Sequence, residues 1–227
     1  MDNNTKPKVE IYFDELDSEG ERYFKRYETE RNPDLLLKAA DAYSKSKNPD
    51  GVKISQLLRG LRFREIAKKE SDHKKALNNL KKAQTLFIKC AGPDAEEVKK
   101  IRLEYLKREL LASGKKPPKD LFLKRAKIYK SLKDEKNYHG DMGLYYMFSM
   151  LELKPFDEKI IEYAGLMLEH AKLSEHQELF YKAKVLFHKV KSSTAPDPKS
   201  SLQELEESLG AIQQTSDHYG EEEAKAD

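Results

Sequence analysis

The chain has one cysteine, no tryptophan, little glycine, proline or valine, and no long apolar run. A single thiol, Cys90, excludes an internal disulfide framework and a thiolate metal cluster. No window reaches the roughly 18 uninterrupted apolar residues that a membrane-spanning helix needs. The first ten residues also lack the basic-then-apolar order of a secretory signal. These absences predict a cytoplasmic protein that does not enter a membrane.

The residues that are abundant favour helices. Leu, Lys, Glu and Ala dominate, and most of the 10 Gly and 9 Pro lie between apolar runs. Hydrophobic residues make up 38% of the chain and charged residues 37%, so the core is thin relative to its surface. Stacked helix pairs fit this balance because each helix buries one stripe and exposes the rest. We therefore predict an all-α fold arranged as an elongated array.

Charge is distributed unevenly along the chain. Residues 197–227 hold nine acidic residues and two basic ones, a net charge of −7, so the overall +3 leaves +10 on residues 1–196. Residues 115–136 hold nine Lys or Arg against three acids. Such a basic patch attracts an acidic peptide, a nucleic acid or the acidic tail of the same chain. A solvated helix face is the simpler interpretation, because lysines are mostly surface residues.

Helix-period apolar runs separated by short breaks predict about nine to ten helices. Asn32-Pro33 and Ser71-Asp72 are helix-start signals, and Gly92 and Gly114 suit positions just beyond helix ends. Two pairs have capping-box spacing and are predicted to open the first and the last helix: Ser18 with Glu21, and Ser201 with Glu204. Residues 136–140 are expected to lengthen a turn.

The pattern predicts five segments. These are a loose N-terminal arm (1–13), a helical-repeat domain (14–191), a linker (192–200), a C-terminal capping helix (201–214) and a disordered acidic tail (215–227). The capping helix carries an apolar stripe of Leu202, Leu205, Leu209 and Ile212. We expect this stripe to seal the last helix pair, with self-association as the alternative, so the oligomeric state stays open.

Three short sequences resemble the tetratricopeptide-like repeat family. Leu153-Lys154-Pro155 stands where that family ends a second helix with proline, and Ala164-Gly165 matches the small pair of a first helix. The segment from Ala76 to Ala83 has the spacing of a second helix. The resemblance implies antiparallel helix hairpins stacked as an irregular α-solenoid.

The same resemblance implies a groove, lined by the first helix of each pair, that receives an extended or helical peptide. Counting repeats from Tyr129 and Gly165 places five candidate partner-binding residues on that surface. They are Lys127, Lys130, Glu162, Glu169 and His170. Basic positions among them would pair with carboxylates of an acidic partner.

The sequence has no strong motif for a metal site, a catalytic nucleophile or a phosphate-binding loop. His170 and His176 straddle a predicted turn, whereas zinc ligands on a helix are three or four residues apart. Cys90 has no nearby partner typical of a nucleophile, and Gly114-Lys115-Lys116 lacks the other residues of a phosphate-binding loop. The aromatic residues of 145–148 are assigned to the core rather than to a binding surface. We therefore predict no catalytic residue, cofactor or metal.

The sequence thus favours a non-enzymatic module that binds a protein or peptide partner, or scaffolds an assembly, through a helical groove. The alternative is association with nucleic acid through the basic patch 115–136, since phosphate neutralisation needs only clustered cations. No base-reading motif accompanies that patch.

Overall fold

The computed structural model describes residues 18–114, 116–154 and 157–226, with side chains described as far as Gln214. The predicted arm at 1–13, Lys115 and the repeat-ending Pro155 lie outside these ranges. Within them the chain forms ten helices and no strand, which confirms the all-α prediction. The helices are α1 (Ser18–Glu30), α2 (Pro33–Lys45), α3 (Gly51–Lys69), α4 (His73–Ala91), α5 (Glu96–Ala112), α6 (Lys119–Ser131), α7 (Glu135–Leu151), α8 (Lys159–Leu173), α9 (Gln177–Thr194) and α10 (Pro198–Ala226).

Local cap chemistry sets several helix ends where the sequence predicts them. The Asn32 side chain accepts a hydrogen bond from the backbone N–H of Asp34 at 3.0 Å. Asp72 accepts from two backbone N–H groups at the start of α4, at 2.8 and 3.1 Å. Gly92 and Gly114 follow α4 and α5 with φ of 85° and 67°, the left-handed region that glycine enters without strain.

The chain divides into two compact units, residues 1–112 and 113–227. In the first unit, α1 to α5 pack against one another in chain order, and short connections make successive helices antiparallel. One buried cluster joins α1, α2 and α3. A second cluster joins the end of α3 to α4 and α5 and includes Leu80, Ala83, Val98 and Ile101. Each interface buries one helix stripe, as the composition predicts.

Tyr43 lies at the centre of the α1–α2–α3 packing and is 1% exposed. A Cβ placed on Gly20 of α1 would lie 2.7 Å from the Tyr43 ring. A Cβ on Gly51, the first residue of α3, would lie 2.5 Å from the Tyr43 carbonyl oxygen. Both glycines therefore permit a close approach that a side chain would block.

In the second unit, α6 to α10 also pack in chain order. Small residues stand where these helices meet, and Ala126, Ala164, Ala171 and Ala183 are all at most 2% exposed. A Cβ on Gly143 of α7 would lie 3.6 Å from backbone atoms of α8. Consecutive antiparallel packing with small residues at the contacts is compatible with a helical repeat.

Two expected connections are shorter in the structure. Asp134 accepts from the backbone N–H of Asn137 at 3.2 Å and starts α7 at Glu135, so residues 136–140 are helical and do not lengthen a turn. Residues 195–197 alone separate α9 from α10, where the sequence analysis placed a linker at 192–200. Asp197 accepts from the backbone N–H of Ser200 at 2.9 Å and opens α10 before the predicted capping box.

The α10 helix differs from the expected capping helix in the face that it buries. Ser208 and Ala211 are 2% and 0% exposed, whereas the apolar stripe predicted to seal the last pair is exposed along its length. Glu204 binds α9 side chains and so cannot complete a capping box. The helix continues to Ala226, where the sequence analysis expected a disordered tail from residue 215.

Candidate functional site

An open groove in the second unit lies between α7 and α9. Its volume is about 740 Å³, within the range of pockets that hold small ligands or peptide side chains. The floor is apolar and is formed by Leu144, Met147, Met167, Leu179 and Ala183. Two methionines give this floor long unbranched side chains that adapt to the shape of a ligand.

Two glycines of α7 lie beside the groove. A Cβ on Gly143 would lie 3.6 Å from Leu179 Cδ2 and from backbone atoms of α8, which is an ordinary van der Waals contact. Gly140 lies beside His176, with 3.3 Å between a built Cβ and His176 Cδ2. The two glycines are three residues apart and therefore lie on one helix face.

An ion pair lies in the groove wall. Arg125 Nε of α6 is 3.2 Å from Asp141 Oδ2 of α7, and the two side chains are 14% and 5% exposed. The two atoms are poorly aligned for a hydrogen bond with each other, so the attraction is mainly between charges. The Arg125 guanidinium also lies over the Tyr129 ring, with its Cζ 5.8 Å from the ring centroid. Burying such a pair costs free energy, and removing one partner strongly destabilises the folded protein.

The rim of the groove carries charges of both signs. Lys182 pairs with Glu178 one turn earlier on α9, and Glu175 lies 3.8 Å from Lys136. His176 is exposed at the same rim. A mixed rim of this kind orients polar parts of a ligand without selecting strongly for one charge, while the floor binds an apolar side chain.

A second set of residues, which we call the histidine–tyrosine cluster, lies on the opposite face of α7. It consists of Tyr138, His139 and Tyr146 of α7 with Tyr163 and His170 of α8. His139 Nδ1 and His170 Nδ1 are 2.7 Å apart, so one nitrogen donates and the other accepts. His170 also stacks on Tyr146, with ring centroids 5.6 Å apart.

Two of the five predicted partner-binding residues meet at this cluster. Lys130 Nζ lies 5.2 Å from the centroid of the Tyr138 ring, and His170 meets the same ring edge-on at 6.1 Å. Lys127, Glu162 and Glu169 are exposed on α6 and α8. These three residues take no part in the described ring contacts of the cluster. Partner binding by all five residues stays a prediction.

Burial favours the uncharged forms of His170 and Tyr146 in the cluster. Burial lowers the pKa of His170, and the neighbouring His139 lowers it further against an opposing effect of Glu169. Burial also raises the pKa of the Tyr146 phenol, with smaller contributions from Tyr145 and Tyr138. Near neutral pH the rings of His170 and Tyr146 are therefore uncharged, and Lys130 lies at the edge of the cluster.

We expect His170 to titrate below the ordinary histidine pKa of about 6.5. Its folded-state pKa lies below the unfolded value, so its contribution to stability is complete above about pH 6.5 and is lost as the pH falls through the lowered pKa. NMR titration of the imidazole resonances measures this directly. In the His139→Asn variant the pKa of His170 should rise and still stay below 6.5, because burial remains. Titration of His170 at or above 6.5 in the unaltered chain contradicts this assignment.

The basic patch 115–136 is partly neutralised by the fold. Lys119 pairs with Glu152, and Arg125 pairs with Asp141. Lys136 lies near Glu175, and Lys130 lies over the Tyr138 ring. Fewer cations of this segment are therefore available to a phosphate backbone than the sequence count of nine suggests.

The two histidines considered as metal ligands lie on different surfaces, His170 in the cluster and His176 at the groove. In the described part of the chain, no three His, Cys, Asp or Glu side chains form a group able to hold a metal ion. Cys90 is half-buried near Lys53 and Gln56, and burial raises the pKa of its thiol. The side chains at 145–148 are half-buried, with Phe148 stacked on Phe122 at 5.2 Å.

Within the described ranges, every helix is too short or too polar to span a lipid bilayer. The fold and the groove together define an all-α protein of consecutively packed helix hairpins with an open, apolar-floored groove. No protein-family model, curated protein or solved structure matches the chain. The functional argument therefore depends on the groove and the surfaces described above.

Proposed function

We propose that the chain is a non-enzymatic interaction module that binds a peptide segment of a partner protein in the groove between α7 and α9. The observation that carries this proposal is the groove itself, about 740 Å³ in volume with an apolar floor and a charged rim. A bulky apolar side chain of the peptide would enter over Leu144 and Leu179. Rim groups would then bind polar atoms of the peptide backbone.

The resemblance to tetratricopeptide-like repeats is part of this proposal. Antiparallel hairpins packed in chain order support it, as do the buried alanines at 76, 83 and 164. The groove lies on the α7 and α9 side of the second unit, while Lys127, Lys130, Glu162, Glu169 and His170 belong to α6 and α8. Binding at the groove and binding at the five predicted residues are therefore separable by mutation.

Selection of a random 12-residue peptide library on the full chain tests the proposal. Selected peptides should share one large apolar residue and bind with a dissociation constant measurable by fluorescence anisotropy. Leu179→Ser should weaken them at least tenfold, because burying a leucine side chain contributes about 1.5–3 kcal/mol. Gln177→Trp should also weaken binding, since residue 177 is exposed at the groove mouth.

Leu173→Ser is the matched control, because Leu173 is 50% exposed and lies outside the groove. Equal affinity for Leu173→Ser and the unaltered chain supports the groove. Equal loss in both serine variants contradicts it.

A further set of measurements uses single-stranded and duplex oligonucleotides at increasing salt. Tight binding of these with a steep salt dependence, and without an effect of Leu179→Ser, would favour the nucleic-acid alternative instead.

A further inference from the structure

The helix α4 of the first unit carries five lysines and no acidic residue over its 19 positions. Its core side is apolar and its exposed side is basic. Apart from Ala91 at the helix end, the exposed residues of α4 are Lys74, Lys75, Asn78, Lys81, Lys82, Thr85 and Lys89. We call these seven residues the lysine face. Such a concentration of one charge on one helix side attracts anions.

Ion pairs do not neutralise the lysine face. In the part of the chain that the structure describes, none of its five ammonium groups pairs with a carboxylate. The one acid of α3, Glu65, binds Lys68, and Glu104 of α5 binds Arg64. Asp72 caps the start of α4 by accepting from backbone N–H groups. The remaining acids of α5 also pair with none of the five lysines: Glu96, Glu97 and Glu109.

Helix periodicity arranges the lysine face in two rows with a neutral ridge between them. One row contains Lys75, Lys82 and Lys89, the other contains Lys74 and Lys81, and the ridge consists of Asn78 and Thr85. Lys82 Nζ lies 5.3 Å from the centroid of the Phe63 ring of α3, whereas Lys81 Nζ lies 6.0 Å from that of Tyr105 of α5. The two rows therefore lean toward different neighbouring helices. The longer row extends about 21 Å along the helix axis.

The composition of the lysine face favours a ligand that binds through charge alone. A protein partner normally buries aromatic or aliphatic anchors at the centre of its interface. A helix that binds a membrane surface inserts Trp, Phe or Leu between the lipids. The seven residues of the lysine face include no such side chain. A nucleic acid needs only clustered cations, because neutralising its phosphates releases condensed counterions.

We propose that the lysine face binds the phosphate backbones of duplex DNA, with one row of lysines on each strand. The widths agree, because an α-helix with its side chains is about 10–12 Å across and the major groove of B-form DNA is about 12 Å wide. A single strand would meet only one row. The major groove of duplex RNA is too narrow to admit the helix. Contacts to phosphate carry no base information, so binding depends little on base sequence.

An acidic peptide fits the lysine face less well than duplex DNA does. Duplex DNA carries one charge per about 1.7 Å of its axis, whereas an extended chain of glutamates carries one per about 3.3 Å at most. A flexible peptide also loses conformational entropy when it binds, and a stiff duplex loses little. The proposal does not rest on the peptide groove, because the lysine face belongs to the first unit and the groove to the second.

The test measures binding of a labelled DNA duplex of about 16 base pairs to the full chain by fluorescence anisotropy. Five phosphate contacts should give a slope of about −4.5 when the logarithm of the binding constant is plotted against that of salt concentration. Single-stranded DNA, duplex RNA, polyglutamate and phosphatidylserine vesicles are the competing ligands. Each should bind at least tenfold more weakly than duplex DNA at low salt. Equal or tighter binding of any one of them overturns the proposal.

The double variant Lys75→Gln, Lys82→Gln removes two charges from the longer row. We expect it to weaken DNA binding at least tenfold at low salt and to reduce the salt slope by about 2, since each lost phosphate contact reduces it by about 1. Lys38→Gln with Lys45→Gln is the matched control. These two lysines are also exposed and seven residues apart on one helix, and Lys38, like Lys82, lies over an aromatic ring. Unchanged binding in this control supports the proposal, and equal loss in both double variants overturns it.

A third double variant distinguishes the lysine face from the basic patch 115–136. Lys124→Gln with Lys127→Gln removes two exposed charges from that patch and should leave the affinity for DNA unchanged. Loss of binding in this variant, without loss in Lys75→Gln with Lys82→Gln, overturns the proposal and assigns the DNA to the patch. Leu179→Ser should weaken peptide binding and not DNA binding, so the peptide groove and the lysine face fail or succeed separately.

Discussion

Replacing Arg125 with methionine is expected to lower the free energy of unfolding by about 3–5 kcal/mol. The Asp141 side chain is 5% exposed and would lose the guanidinium whose Nε now lies 3.2 Å from its Oδ2. A buried carboxylate that loses its counter-charge costs more than a surface one, because water cannot replace the lost interaction. Urea denaturation of the full chain measures the loss.

A double-mutant cycle distinguishes the pair from the packing around it. Arg125→Met combined with Asp141→Leu should recover most of the stability lost by Arg125→Met, because the double variant leaves no buried charge. Arg59→Met is the control, since the Arg59–Asp41 pair is about half exposed on both sides and should contribute little. Additive losses in the double variant would show that the charge pair is not the cause.

Gly51→Ala is expected to destabilise the first unit by about 1–3 kcal/mol, the usual cost of overpacking a tight contact. The new Cβ would lie 2.5 Å from the Tyr43 carbonyl oxygen and 2.6 Å from Ser46 Oγ. The carbonyl belongs to the backbone at the end of α2, so relief would require movement of one helix relative to the other. Thermal and urea denaturation followed by circular dichroism measure the change.

Gly210→Ala serves as the matched substitution, because a Cβ on Gly210 meets no atom within 4 Å. Gly210 lies inside α10, where replacing glycine by alanine is expected to stabilise a helix by about 0.5–1 kcal/mol. The two glycine variants should therefore change stability in opposite directions. A stabilising Gly51→Ala would mean that α2 and α3 separate easily at that point.

Helix positions were predictable wherever the signal is local. Asn32-Pro33 and Asp72 each cap a helix through backbone groups two or three residues away, so a short window of sequence contains the whole interaction. The capping box predicted at Ser201 and Glu204 is wrong for the converse reason. Both side chains bind α9, and Asp197 caps the helix instead.

The candidate site was predictable in part. Repeat counting placed Lys130 and His170 on one predicted groove surface, and both contact Tyr138. His139 was not identified because its partner in the cluster is 31 residues away. The groove was missed because it depends on how α7, α8 and α9 pack in three dimensions, which hydrophobic periodicity does not report.

The order in which the helices pack determines how the protein acquires its structure. Within each unit the helices pack against their neighbours in chain order, so these native contacts close short loops at small entropic cost. Chains with such local topology fold quickly, on a scale of microseconds to milliseconds. A segment leaving the ribosome already has its packing partner beside it, and later residues are not needed to begin the core.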